Sequence, residues 1–162
     1  MIRPEHVNER AAVPGDEPFL RLLFFSVREP EFAPAGLPRD QLEALLDQQF
    51  SAMRTYYAEA LPETMYVILE HAGLPVGYEA VRETDVLHLV DLALLPDYQN
   101  HGIGADRVRR LQARAAASGL ELTLNVEIFN PAMRLYDRLG FEVIENSGIY
   151  HLMRWRPTPD AV

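Results

Sequence analysis

Between Met65 and Leu95 the chain reads as three consecutive extended segments, and this stretch constrains the fold more than any other. Met65-Tyr66-Val67-Ile68-Leu69-Glu70 has strand composition, His71-Ala72-Gly73-Leu74 has turn chemistry, and Pro75 to Arg82 returns. Glu83-Thr84-Asp85 turns again into Val86 to Leu95, which is apolar on both faces and is therefore predicted to be a central strand. A sheet with such a strand at its middle needs cover on both faces, and amphipathic helices flank the meander on either side.

Upstream, Phe19, Leu22, Leu23 and Val27 recur at helical spacing, with Asp16 as the expected N-cap ahead of Glu17-Pro18. Glu29 to Pro38, rich in proline, is predicted to be a loop. A longer helix is expected from about Arg39 to Ala60, with Leu42, Leu45, Leu46, Phe50 and Met53 on one side, ending before Pro62. Downstream of the meander, Gly104, Val108, Leu111 and Ala115 mark the buried face of a helix closed by Gly119. Glu121 to Ile128 follows as a strand, Asn130 to Gly140 as a short helix, and two strands lie near Phe141 to Glu145 and Tyr150 to Trp155. The expected order is helix, helix, three antiparallel strands, helix, strand, helix, two strands. This is an α/β chain of the α+β kind with a mixed sheet, read as one domain over 1–157 with a frayed tail at 158–162.

Composition narrows the function. The formal net charge of −9 argues against a protein that tracks nucleic-acid phosphates. No apolar run approaches the ~18 residues a bilayer span requires, and the first residues lack a signal-peptide core. Without cysteine there is no disulfide, thiolate nucleophile or Cys-ligated metal. Together these readings point to a cytoplasmic protein that needs no metal and contacts neither membrane nor nucleic acid. All 15 basic residues are arginine.

Gln99-Asn100-His101-Gly102-Ile103-Gly104 joins the last strand of the meander to a helix. Backbone N–H groups and the positive end of a helix dipole converge there, and glycine lets an anion approach closely. A Walker A loop is excluded by the absence of lysine, and Arg107 stands where a dinucleotide fingerprint needs its third glycine. A helix N-terminus contributes about 0.3–2 kcal/mol toward an anion, whereas micromolar binding needs about 8 kcal/mol. The loop orients a pyrophosphate; other contacts must hold the rest of the ligand.

A second segment, Asn130-Pro131-Ala132-Met133-Arg134-Leu135-Tyr136-Asp137-Arg138-Leu139-Gly140-Phe141, supplies a partner for that loop. Gln99, Gly102 and Gly104 with Asn130, Ala132, Tyr136, Gly140 and Phe141 together resemble the GNAT N-acetyltransferase superfamily, over roughly Val76 to Trp155. The resemblance implies a mostly antiparallel sheet splayed between strands 4 and 5, with acetyl-CoA as co-substrate. It implies that pantetheine pairs like an added strand with the backbone near Ala93 and Leu94. It places the pyrophosphate on the amides of Gln99, Asn100, His101, Gly102, Ile103, Gly104 and Ala105, with Asn130 beside the pantetheine arm and Arg138 near the adenosine phosphate. Many relatives carry Arg or Lys where Asn100 and His101 stand, so this cradle leans on neutral amides and on neighbours such as Arg107 and Arg109.

The same resemblance sets Tyr136 beside the CoA sulfur as a proton donor to the departing thiolate. His88 falls where some members carry a catalytic glutamate, and its ordinary pKa of about 6.5 suits proton transfer near neutrality. Asp91, between Val90 and Leu92, either orients a base, receives the substrate cation or is held structurally. Asn125 occupies the fifth-strand position of another glutamate base, which leaves a water-mediated route open. On the acceptor side the first two helices offer Phe32, Gln48, Gln49, Tyr56 and Tyr57, with Glu79 as a cation partner. The reaction implied is direct acetyl transfer to a primary amine of a small molecule or peptide. The alternative is a non-catalytic acyl-CoA sensor of the same fold. A homodimer is common for the fold, and the sequence marks no interface.

Overall fold

The computed structural model describes residues 1–159, so the last part of the expected tail, 160–162, lies outside the described residues. Its seven strands form one sheet in the order β1-β2-β3-β4-β5-β7-β6. The meander is present as β2 (Met65–His71), β3 (Leu74–Glu83) and β4 (Leu87–Leu94), all antiparallel. β4 takes the middle of the sheet, as its doubly apolar composition requires. Then come β5 (Leu122–Glu127), β6 (Glu142–Asn146) and β7 (Tyr150–Trp155), with β5 parallel to β4 and antiparallel to β7.

One strand was not expected. Val7–Ala11 forms β1, antiparallel to β2 with Val7 opposite His71. Only Val7 in it is buried, so its sequence lacks a strand-like apolar alternation.

Helix α1 runs Glu17–Phe32 and α2 runs Arg39–Ala60. Two expectations near α1 are corrected. Asp16 makes no cap bond to the helix; its carboxylate accepts the Val13 N–H at 2.8 Å and both outer nitrogens of Arg10 at 2.7 and 2.9 Å. The predicted loop from Glu29 begins only after Phe32, because Pro30 sits in the last turn, where losing one amide donor breaks little, and the chain then turns at Gly36 with φ 61°. α1 and α2 cover one face, burying Leu20, Leu23 and Phe50 against Ile68, Tyr78 and Ala80. Helices α3 (Ile103–Ala117) and α4 (Ala132–Arg138) lie on the other face, where Val108, Leu111 and Ala115 pack on Leu87, Leu89, Leu122 and Leu124. Among the described residues no helix is long and apolar enough to cross a membrane.

Candidate active-site cleft

β4 and β5 pair only through Leu87–Leu122, His88–Thr123 and Leu89–Leu124, although both strands continue beyond. The gap opens at a β-bulge. On β3, Ala80 stands opposite Asp91 and Val81 opposite Leu89, which leaves Val90 as the extra residue. Strict alternation from Leu87 and Leu89 would send Asp91 under α3. The bulge turns it to the face of its partner Ala80, beneath α1 and α2.

Beyond the bulge, β4 presents an edge to the gap. Leu95 N–H bonds back to Val76 on β3, so alternate residues direct Ala93 to β3 as well and Leu92 and Leu94 to the gap. Two of the four groups on that edge have side-chain partners. Asp91 Oδ1 accepts Leu92 N–H at 2.9 Å, and Gln99 Nε2 donates to Leu94 C=O at 3.0 Å. Leu92 C=O and Leu94 N–H remain turned to the gap. Ala93, expected to pair through its backbone, also lines the cleft, but its backbone groups are directed to β3.

The cleft has a volume of about 760 Å³ and runs from α1 and α2, across β4, to the loop before α3 and to α4. Asn100 (φ 63°) and Gly102 (φ 81°) are both left-handed, and they turn the chain sharply into α3. Asp106 N–H bonds to Gly102 C=O, so the earlier amides of Ile103, Gly104 and Ala105 have no helical partner. Gln99, Asn100, Gly102, Gly104 and Ala105 line the cleft. Ile103 instead anchors the loop, 1% exposed among Val7, Leu69, Val76 and Leu94. His101 is exposed and does not line the cleft.

Asn130, just before α4, and Arg134, Tyr136 and Arg138 within it line the opposite wall. Asn130 Oδ1 caps the Ala132 N–H at 2.9 Å, so the side chain starts the helix as well as facing the cleft. Tyr136 stacks edge-to-face on Phe141 at 5.7 Å, and its hydroxyl has no hydrogen-bond partner among the described residues. Burial, and secondarily the charge of Asp91, push its phenol above the ordinary value. Most arginines are consumed by carboxylates; among the described residues Arg82, Arg109, Arg134 and Arg138 make no ion pair. Of these, Arg134 and Arg138 lie one turn apart on the cleft wall. Arg134 was missed by sequence reasoning; its position in the turn before Arg138 was the available signal.

Asp91 is the acidic centre of the cleft floor. Tyr78 donates a short hydrogen bond to Oδ2, and Tyr57 donates a long one of 3.4 Å from α2. Burial raises the Asp91 carboxyl above its ordinary range, opposed by these donors and the Leu92 amide. Burial and the carboxylate both raise the two phenols.

Several expected site residues are not gathered here. His88 does not line the cleft: its Nδ1 lies 2.7 Å from Thr123 Oγ1 inside the paired part of β4 and β5, and burial, then Arg82, lower its pKa. Glu79 lies on the α3 face, 4% exposed, and receives Arg107 Nε at 2.8 Å and Nη2 at 3.3 Å. Arg107 also reaches Glu9 at 3.1 Å, and neither Arg107 nor Glu79 lines the cleft. Phe32, Gln48, Gln49 and Tyr56 stay out of the cleft, whose wall on the side of α1 and α2 is made instead by Phe24, Val27 and Met53 backed by Leu20 and Phe50.

The acetyltransferase (GNAT) family model matches residues 27–141, and the chain belongs to that family. Solved structures share the fold at low identity. The chain is similar to the PaiA N-acetyltransferase of Thermoplasma acidophilum in complex with coenzyme A (16% identity, TM-score 0.72, covering 93% of this chain and 99% of that one). It is similar to an acetyltransferase from Thermus thermophilus (21%, 0.67, 96% and 100%) and to the ribosomal-protein-S18-alanine N-acetyltransferase of Escherichia coli (17%, 0.66, 96% and 98%). No curated protein matches the sequence.

Proposed function

We propose that this chain transfers the acetyl group of acetyl-CoA to a primary amine of a small molecule or peptide by direct attack. The observation that carries the reading is the β4 edge, with Leu92 C=O and Leu94 N–H unpartnered, which faces a cleft containing the unpartnered Tyr136 hydroxyl. Pantetheine fits that edge as an added strand. The first-turn amides of α3, after a loop with two left-handed residues, suit the pyrophosphate. Arg134 and Arg138 are the uncommitted cations placed to meet the remaining phosphate charge.

The chemistry then divides among residues of this chain. Asp91, fixed by Tyr57, Tyr78 and the Leu92 amide, receives the acceptor ammonium. Water takes the surplus proton, since His88 is outside the cleft. The neutral nitrogen attacks the thioester carbon, the C–S bond breaks as the tetrahedral adduct collapses, and one proton passes from nitrogen to sulfur overall. Tyr136 hydrogen-bonds the leaving thiolate. Held above its ordinary value by burial, the phenol is a weaker acid than the departing thiol, so water completes the protonation.

The test is Tyr136→Phe, which keeps the Phe141 contact. Loss of that hydrogen bond to the departing thiolate is expected to lower kcat about 100-fold with acetyl-CoA affinity unchanged. Unchanged kcat would remove Tyr136 from the reaction. Acetyl-CoA binding without thiol release from the parent protein would favour the sensor reading.

A further inference from the structure

The cleft also carries information about its acceptor. Its charged side chains fall into committed and uncommitted sets. Arg28 pairs with Glu31 at 3.5 Å and lies over the Phe24 ring at 5.3 Å. Arg54 forks onto Glu17 at 2.9 and 3.0 Å and lies over Tyr66. Arg134 and Arg138 face the cofactor end. That leaves two carboxylates without an ion-pair partner: Asp91 on the floor, which feels Arg28 only at longer range, and the exposed Glu127 at the far end of β5.

Between that floor and the mouth the acceptor wall is apolar. Leu20, Phe24 and Val27 form one stripe of α1, and Phe50 and Met53 face them from α2, with the Phe24 and Phe50 rings 5.6 Å apart. Helical backbone on this side is internally bonded, so it offers no N–H or C=O to a peptide. The strand edges in the cleft, those of β4 and of β5 beyond Leu124, lie at the gap and not on this wall. A polyamine lying here would set its internal ammonium groups against Val27 and Met53, and an unpaired buried charge costs several kcal/mol. A free amino acid would need a cation for its carboxylate, and the two on this wall, Arg28 and Arg54, already have Glu31 and Glu17.

We propose that the acceptor is a primary amine on an apolar body, of the alkylamine or arylalkylamine class, with its nitrogen at Asp91 and its body against Phe24, Val27 and Met53. This rests on the acetyl-transfer reading above. Asp91 gives a single fixed anchor, because Tyr78, 5% exposed, and Tyr57 hold the carboxylate from behind while the bulge faces it to the cleft. Glu127 draws cations to the mouth and leaves the body of the ligand uncontacted.

The experiment compares thiol release at saturating acetyl-CoA with phenethylamine, hexylamine, hexamethylenediamine, spermidine and an alanine-terminated peptide. In parallel, calorimetry measures amine binding to the CoA-loaded protein. The two monoamines should exceed spermidine and the peptide in kcat/KM by at least about tenfold. Val27→Asp sets a carboxylate on the wall and should shift the ratio of hexamethylenediamine to hexylamine turnover upward by about tenfold. Asp91→Asn should weaken binding of every amine while acetyl-CoA affinity stays within about twofold. Preference for spermidine or the peptide, or an unmoved ratio in Val27→Asp, overturns the acceptor class and leaves acetyl transfer standing. Phenethylamine binding without thiol release keeps the acceptor class and overturns acetyl transfer. Absence of both binding and turnover for the monoamines overturns the acceptor class.

Discussion

Replacing Arg107 by methionine tests how the cradle helix is held to the sheet. Arg107 and Glu79 are each 4% exposed, joined by contacts of 2.8 and 3.3 Å, and Glu9 adds a third contact at 3.1 Å from β1. Methionine keeps much of the aliphatic bulk and removes the cation, so Glu79 is left as a buried carboxylate with no counter-charge. Removing one partner of a buried pair costs about 3–5 kcal/mol, out of a total stability of about 5–15 kcal/mol. The half-exposed Glu9 adds at most about 1 kcal/mol to that figure. For a chain of this size about 1 kcal/mol moves the midpoint by about 2–4 °C, so the expected loss is about 6–20 °C. The double variant Arg107→Met with Glu79→Leu fills the site with apolar side chains and should recover most of it. Thermal and urea unfolding of parent, both single variants and the double close the cycle. An Arg107→Met variant within about 1 kcal/mol of the parent, or a double variant no more stable than the single, would show that the pair does not hold the helix in this way.

Other expectations are independent of that pair. Arg10, and then the Val13 amide, hold the Asp16 carboxyl at about 2, below its ordinary 3.8. A depressed carboxyl contributes stability above its unfolded pKa and loses it as pH falls through the folded value. Asp16→Asn should therefore melt below the parent at pH 7 and converge with it as the pH approaches about 2, and a constant difference would contradict this. Arg134→Gln and Arg138→Gln should each weaken CoA binding by about two- to fivefold at low salt, because both side chains are exposed, and the effect should fade as salt rises. A calorimetric salt series checks it. Gly77→Ala places a Cβ 2.5 Å from Ala93 O and 2.7 Å from Leu94 Cδ2, under the β4 edge. It should cost about 1–3 kcal/mol and raise the KM for acetyl-CoA; an unchanged KM would separate that edge from cofactor binding.

What was legible in the sequence was local. Gln99 to Gly104 and Asn130 to Phe141 are contiguous, and their glycines and turn residues report their own backbone conformations. The same is true of the meander, whose turns are short and whose central strand declares itself by composition. Non-local pairings were hidden. β1 is a polar five-residue segment that becomes a strand only because β2 pairs with it, with Val7 opposite His71. The bulge at Val90 depends on β3 register and reverses the facing of Asp91, which no alternation count can anticipate. Charge pairing across elements also decided roles. Arg107 and Glu79 are ordinary surface-type residues in sequence, yet each neutralises the other in the interior, which removes both from the site. Pro30 shows the converse, a local breaker overridden in the last turn of α1.

The central claim is that the β4 edge, the α3 cradle and Tyr136 serve one acetyl transfer to an amine. The most direct measurement is single-turnover mixing of the protein with acetyl-CoA and phenethylamine, following free thiol and N-acetylated amine together. The account predicts equal amounts of both at equal rates, slowed about 100-fold in Tyr136→Phe. Acetyl-CoA bound with neither product formed from any amine, or thiol released without acetylated amine, would contradict it.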